Sequence, residues 1–221
     1  MEHSSEQARF NMIEQQIRPW EVMDERVLGT MMEIPREPFV PDAYRGLAYA
    51  DIEVPLGSDQ LMMAPRVVAR MLQALDVRPE DRVLEIGTGS GYGTACLAAL
   101  GRKVVSIEAA AGLLAQARET LQQQGVRNVE LRKGDGLAGP VDGGPFDVIA
   151  VTGSLPSEEP LEDLEAQLKD GGRLFVVVGE DPVMEALLIT RTGDRELRRE
   201  TLFETSLPAL DKVPEPEHFS F

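Results

Sequence analysis

The sequence predicts a doubly wound α/β fold, in which helices cover both faces of a mostly parallel sheet and a helical extension precedes it. Three observations carry that expectation. From Arg82 onward, strand-like and helix-like patterns alternate along the chain. Phe146 to Val151 and Arg173 to Val178 are nearly continuous apolar runs, as central parallel strands buried on both faces require. Residues 83 to 91 read as an apolar strand entering a turn with glycines at alternate positions. At 221 residues the length suits one domain, read as an extension (1–80), a core (81–207) and a tail (208–221).

In the extension, Phe10, Ile13, Ile17, Val22, Val27, Leu28 and Met31 recur at mostly helical spacing, interrupted at Pro19, so two short helices are expected over 8–34. Pro35 to Gly57 holds four prolines and reads as loop with short extended pieces. Pro65 stands where a helix could begin, with Val67, Val68, Met71, Leu72 and Leu75 on its apolar face. The core then reads strand Val83–Ile86, helix Gly91–Leu100, strand Val104–Ile107, helix Leu113–Gln124, strand Val129–Arg132 and the two apolar runs. Met184–Arg191 and Glu200–Thr205 supply two last strands, for which an antiparallel arrangement is open. The tail from Pro208 is extended, with Phe219 and Phe221 docking on the core.

Charge and cysteine narrow the partners. With 38 acidic and 22 basic residues the formal charge is −16, which argues against nucleic acid and anionic membrane surfaces, because phosphate contacts need clustered cations. No run of about 18 apolar residues is available to span a membrane, and the first ten residues do not form a signal-peptide core. The single cysteine, Cys96, excludes an internal disulfide and a cysteine-rich metal site, and reads as a small apolar residue in a helix; a cytoplasmic location and no metal are expected. His3 and His218 lie near the termini and are read as incidental.

The glycine turn carries the chemistry. A dinucleotide fingerprint wants a third glycine three residues after the second, whereas Gly87, Gly89 and Gly91 alternate with Thr88 and Ser90, and Tyr92 occupies the dinucleotide position. That spacing favours S-adenosylmethionine, with S-adenosylhomocysteine as its product. Glu108, about twenty residues on and closing the second strand, is placed to accept from two ribose hydroxyls. Glu85, just before the glycines, is placed to hold an ammonium group, and Asp135 with Gly136 after the third strand to meet an adenine amino group. Asp147 starts the fourth strand, at the end of the sheet away from any ligand crevice, and is read as structural.

These residues resemble class I methyltransferases, and more closely the protein-L-isoaspartate O-methyltransferase family. The landmarks are Pro35-Arg36-Glu37-Pro38-Phe39-Val40-Pro41, Tyr49, Asp51, Pro55-Leu56-Gly57, Leu84 to Tyr92, Gly134-Asp135-Gly136, Gln167-Leu168 and Gly171-Gly172-Arg173-Leu174. The resemblance covers most of the chain and implies a Rossmann-like methyltransferase fold and methylation of isoaspartyl carboxylates in damaged proteins or peptides. Such an acceptor is ionised near neutral pH and needs no general base.

The acceptor loop departs from the family pattern. Asp59, Gln60, Leu61, Met62 and Met63 form it, with Leu61 and Met63 where the family carries threonine and its active serine, and Asp59 where it carries glycine. Two hydroxyl donors are absent, each worth roughly 1.5–3 kcal/mol toward a charged acceptor. Backbone amides, or Ser58 after a one-residue shift, are the available substitutes, and Asp59 is a candidate base for an acceptor of higher pKa. Two other readings therefore stay open: a methyltransferase with a different, small-molecule acceptor, and a regulatory protein that binds the cofactor without turnover.

Overall fold

The computed structural model describes residues 2–57, 59–193 and 196–213. Helix α1 (Glu2–Met12) continues into a π-helical turn at Ile13–Ile17 and a 3-10 turn at Arg18–Trp20 that contains Pro19. Helix α2 (Glu25–Glu33) follows, its first turn capped by Asp24, which accepts from the Arg26 amide at 2.8 Å. The two expected helices are thus present. In the proline-rich stretch, read as loop with short extended pieces, Val54–Gly57 is a strand, and Glu37–Phe39 and Asp42–Leu47 add 3-10 turns that the reading did not include. Pro38 and Pro41 preset backbone angles compatible with tight turns, and the Phe39 and Tyr44 amides close them onto the Arg36 and Pro41 carbonyls at 3.1 and 2.8 Å.

Strands β1 (Val54–Gly57) and β2 (Gln60–Met62) pair as an antiparallel hairpin that presents the acceptor loop. Helix α3 (Pro65–Leu75) leads into β3 (Arg82–Ile86), α4 (Tyr92–Leu100), β4 (Lys103–Glu108), α5 (Ala111–Gln123) and β5 (Val129–Lys133). Then come β6 (Phe146–Leu155), α6 (Leu161–Glu165), β7 (Leu168–Glu180), β8 (Val183–Arg191) and β9 (Leu197–Thr205). The short α6 gives no periodic signal in the sequence.

The seven strands lie in the order β5-β4-β3-β6-β7-β8-β9, parallel from β5 to β7 and antiparallel at β7–β8 and β8–β9. The chain winds outward from β3 to β5 and returns to β6 beside β3, so a topological switch lies between β3 and β6. Alternate residues of the central strands face opposite layers. Val83, Val104, Val148, Phe175 and Val177 pack with residues of α1 to α4, whereas Leu84, Ile86, Ile149, Leu174 and Val176 join Leu161 and Leu164 of α6 on the other side.

Strand β6 runs four residues beyond the expected Val151 end. The polar Thr152-Gly153-Ser154 interrupts its apolar run in sequence, yet the strand continues through it to Leu155. Its register shifts after Ala150 and resumes at Ser154 opposite Val177, while Ser154 also exchanges bonds with Pro208 and Leu210 at 2.9 and 3.0 Å. The start of the predicted tail is therefore a strap along the end of β6; Phe219, Phe221 and His218 lie outside the described residues, as does the side chain of His3. At the opposite end of the sheet, Asp147 accepts the Arg82 amide and pairs with Lys169, each at 2.8 Å, the structural place expected of it. Arg173 links Asp81 at 2.7 Å to the carbonyls of Leu75 and Asp76 at 2.9 and 2.7 Å, tying α3 to β7. Among the described residues no helix is long and apolar enough to cross a membrane.

Candidate active site

A cleft enclosing about 790 Å³, open mouth included, lies at the carboxyl ends of β3, β4 and β6. Its floor is the glycine turn. Gly87, Gly89 and Gly91 have φ of +98°, +53° and +86°, conformations that side chains rarely adopt. At Gly87 space is equally restrictive, because a Cβ would meet Thr152 Oγ1 at 2.5 Å and Leu210 Cδ2 at 3.1 Å.

Glu85, Gly87, Thr88, Gly89, Ser90, Glu108, Asp135 and Gly136 all line this cleft. Gly91 does not: it caps α4 and faces Ala117 and Leu121, so its missing side chain serves helix packing. Gly136 likewise answers to the protein, since a Cβ there would sit 2.7 Å from Ile86 Cγ2. Glu108 accepts the Gly89 amide through Oε2 at 2.8 Å and the Ala110 amide through Oε1 at 2.9 Å, fixing the turn to the end of β4. Each oxygen keeps a further lone pair for a ligand hydroxyl. Asp135 accepts the Leu137 amide through Oδ1 at 2.9 Å.

Glu85 differs from these. It is fully buried; Oε2 accepts from Thr94 at 2.5 Å and Ser106 at 2.6 Å, while Oε1 has no hydrogen-bond partner among the described residues. Burial pushes its carboxyl up to about 7, against the two hydroxyl donors and with a smaller upward push from Glu108. A Cβ on Gly93 would stand 3.1 Å from Oε1, so this glycine leaves the oxygen uncovered. An unpaired buried acceptor in a cleft fits a ligand bearing a cationic donor.

The acceptor hairpin forms the facing wall. Gln60, Leu61, Met62 and Met63 line the cleft, with Met62 and Met63 buried. Asp59 does not line it: it is exposed at the hairpin tip with φ +58°, a left-handed position that aspartate tolerates better than most residues. The turn therefore accounts for Asp59 where the family has glycine, and its candidacy as a base has no geometric support. Ser58 lies outside the described residues.

Among the lining groups that escaped the sequence reading, three come from the end of β6 and the strap. Thr152 donates to the Ile86 carbonyl at 2.9 Å, Leu210 packs over Gly87 and Gly153, and Asp211 accepts from Gln60 Nε2 at 3.1 Å, joining strap to hairpin. The last contact spans 151 positions, and no local pattern announces it. No group of three or more potential metal ligands occurs among the described residues.

A family model described as protein-L-isoaspartate(D-aspartate) O-methyltransferase matches residues 7–211. Proteins named protein-L-isoaspartate O-methyltransferase from Methanoregula boonei and Koribacter versatilis are 44% and 43% identical, over 85% and 88% of this chain and 85% and 86% of theirs. A solved structure of a protein-L-isoaspartate O-methyltransferase superposes with a TM-score of 0.79 at 26% identity, covering 95% of this chain and 66% of that one. A second, from Plasmodium falciparum and in complex with S-adenosyl-L-homocysteine, has the same TM-score at 21% identity over 94% and 98%, and shares the fold.

Proposed function

Because the chain belongs to the protein-L-isoaspartate O-methyltransferase family, we propose that it transfers a methyl group from S-adenosylmethionine to isoaspartyl carboxylates of damaged proteins and peptides. The observation that carries this reading is that one cleft holds both the glycine turn, with an unpaired Glu85 oxygen, and the wall of the acceptor hairpin. When bound, S-adenosylmethionine supplies the sulfonium methyl: the acceptor oxygen bonds to it as the carbon–sulfur bond breaks, and the electron pair stays on sulfur in S-adenosylhomocysteine.

The chain's own residues bind and orient. Glu85 Oε1 takes the ammonium group, Glu108 the ribose hydroxyls and Asp135 the adenine amino group, while Thr88 and Ser90 hold the turn by hydrogen bonds to Ser106 and from the Tyr92 amide. No residue need remove a proton, because the acceptor is already ionised. Leu61, Met62 and Met63 exclude water from the approach of acceptor to methyl, and the contribution of the site is alignment. The acceptor is a protein or peptide and not a nucleic acid, in keeping with the net charge of −16. The chain works as one domain, since the cleft draws on the extension, the core and the strap, and the free, buried Cys96 supports a cytoplasmic location.

A second reading, a different acceptor, is favoured by Leu61 and Met63 at the hydroxyl positions. Transfer of labelled methyl to an isoaspartyl peptide, with the aspartyl peptide as control, tests both. Isoaspartyl-specific labelling is expected, and cofactor binding without transfer to either peptide would refute the proposal.

A further inference from the structure

The cleft poses an electrostatic problem. Four carboxyl groups, those of Glu85, Glu108, Asp135 and Asp211, line it, and among the described residues no lysine, arginine or histidine does. A carboxylate acceptor entering such a site meets repulsion at short range. With the family's two hydroxyl donors also missing, a compensating positive charge must come from elsewhere in the protein or from the sulfonium alone.

Arg36 stands directly behind the wall. Its side chain is fully buried, its Nη2 donates to the Met63 carbonyl at 2.7 Å, and its guanidinium lies 5.0 Å from the centre of the Tyr92 ring; Met63 and Tyr92 both line the cleft. Nε and Nη1 have no hydrogen-bond partner among the described residues. Burial lowers its guanidinium from the ordinary arginine value, with Tyr92, Cys96 and Asp51 acting the other way; no carboxylate there forms an ion pair with it, and Asp51 pairs through Oδ2 with Arg66 while its Oδ1 is buried without a hydrogen-bond partner among the described residues. Burying a cation without an ion-pair partner is costly, and the Tyr92 face and the more distant Asp51 offset only part of that cost. Arginine nonetheless keeps its proton at working pH.

We propose that Arg36 is the positioning and specificity-determining residue of the acceptor site, fixing the Met63 backbone and supplying the positive field that favours an ionised carboxylate over a neutral group. The inference rests on the isoaspartyl reading above. It gives the unpaired cation a partner that arrives with substrate and disappears with chemistry, because the ester is neutral. The same charge that draws substrate in has no hold on product.

The test compares binding of an isoaspartyl peptide and of its side-chain carboxamide analogue, each titrated calorimetrically into enzyme saturated with S-adenosylhomocysteine. Wild type should prefer the carboxylate by about tenfold or more, the scale of one favourable charge interaction in a partly dry site. Arg36→Lys and Arg36→Gln each keep a single donor type toward Met63 and differ in charge. R36K should retain most of the preference, and R36Q should bring it near one. A wild-type ratio near one overturns the proposal without any variant, as does a ratio in R36Q equal to wild type or an equal loss in R36K and R36Q, which would make Arg36 a structural prop. Failure of wild type to methylate the carboxylate peptide sinks the functional reading instead, so the two failures are distinguishable.

Discussion

Glu85 should make fold stability and cofactor affinity respond to pH in opposite directions. Its carboxyl is raised from an ordinary 4.5 to about 7 by complete burial. Between those values the folded protein holds a proton that the unfolded chain has released, so the contribution of Glu85 is fully present below 4.5 and is lost as pH rises through about 7. The shift corresponds to about 3 kcal/mol at 1.36 kcal/mol per unit. Glu85→Gln removes the titration while its carbonyl can still accept from Thr94 and Ser106. Urea unfolding of wild type and E85Q at several pH values between 4.5 and 8 cancels every other titrating group in the difference. Wild type should lose about 3 kcal/mol relative to E85Q across that range. An ammonium ligand needs the ionised form, so S-adenosylhomocysteine affinity should rise as pH passes through about 7 and fall roughly tenfold per unit below it in wild type only. Parallel stability curves would show that the carboxyl is not raised. Equal affinity in E85Q at every pH would remove Glu85 from the cofactor site.

Other consequences follow from single contacts. Gly87→Ala places a Cβ 2.5 Å from Thr152 Oγ1 at φ +98°; a loss of about 2 kcal/mol or more in urea unfolding is expected, with weaker S-adenosylhomocysteine binding by calorimetry. Arg173→Met leaves the buried Asp81 with the Arg78 amide but without its cationic partner and should cost roughly 3 kcal/mol in urea unfolding, with methyl transfer by the remaining folded enzyme unchanged. Restoring the family loop with Asp59→Gly, Leu61→Thr and Met63→Ser should raise kcat/KM for an isoaspartyl peptide by less than about tenfold, read by labelled methyl transfer, because the charge of Arg36 behind Met63 already favours the ionised acceptor. A gain well above tenfold would mean that the missing hydroxyls limit the reaction.

Where sequence reading succeeded, a local physical cause was available. Phe146 to Val151 and Arg173 to Val178 are nearly continuous apolar runs and became central strands, and the alternating glycines announced a turn that only positive φ permits. Where it failed, the cause was non-local. Thr152-Gly153-Ser154 is polar yet extended because β7 and the strap hold the backbone of Ser154 beyond the register shift, and Leu210 and Asp211 enter the cleft only because the strap crosses β6. The 3-10 turns at Glu37–Phe39 and Asp42–Leu47 satisfy their backbone within themselves, an alternative to strand pairing that proline content does not separate from it.

The acceptor hairpin shows how the two sources of information combine. From residue types alone, Asp59 looked like a charge set against a carboxylate acceptor, and Arg36 like one member of a proline-rich motif. The structure reverses their places. Asp59 is turned to solvent by the left-handed geometry of the hairpin tip, while Arg36 lies buried against the backbone of Met63, the residue whose hydroxyl-bearing counterpart the chain lacks. A charge at the tip is screened by water, whereas one behind the wall acts through a dry interior, where its field on the acceptor is several times stronger. Leu61 and Met63 therefore need not mean a lost acceptor site. They exclude water from the wall, and that exclusion is the condition under which a cation lying behind the wall can take over from donors lying on it.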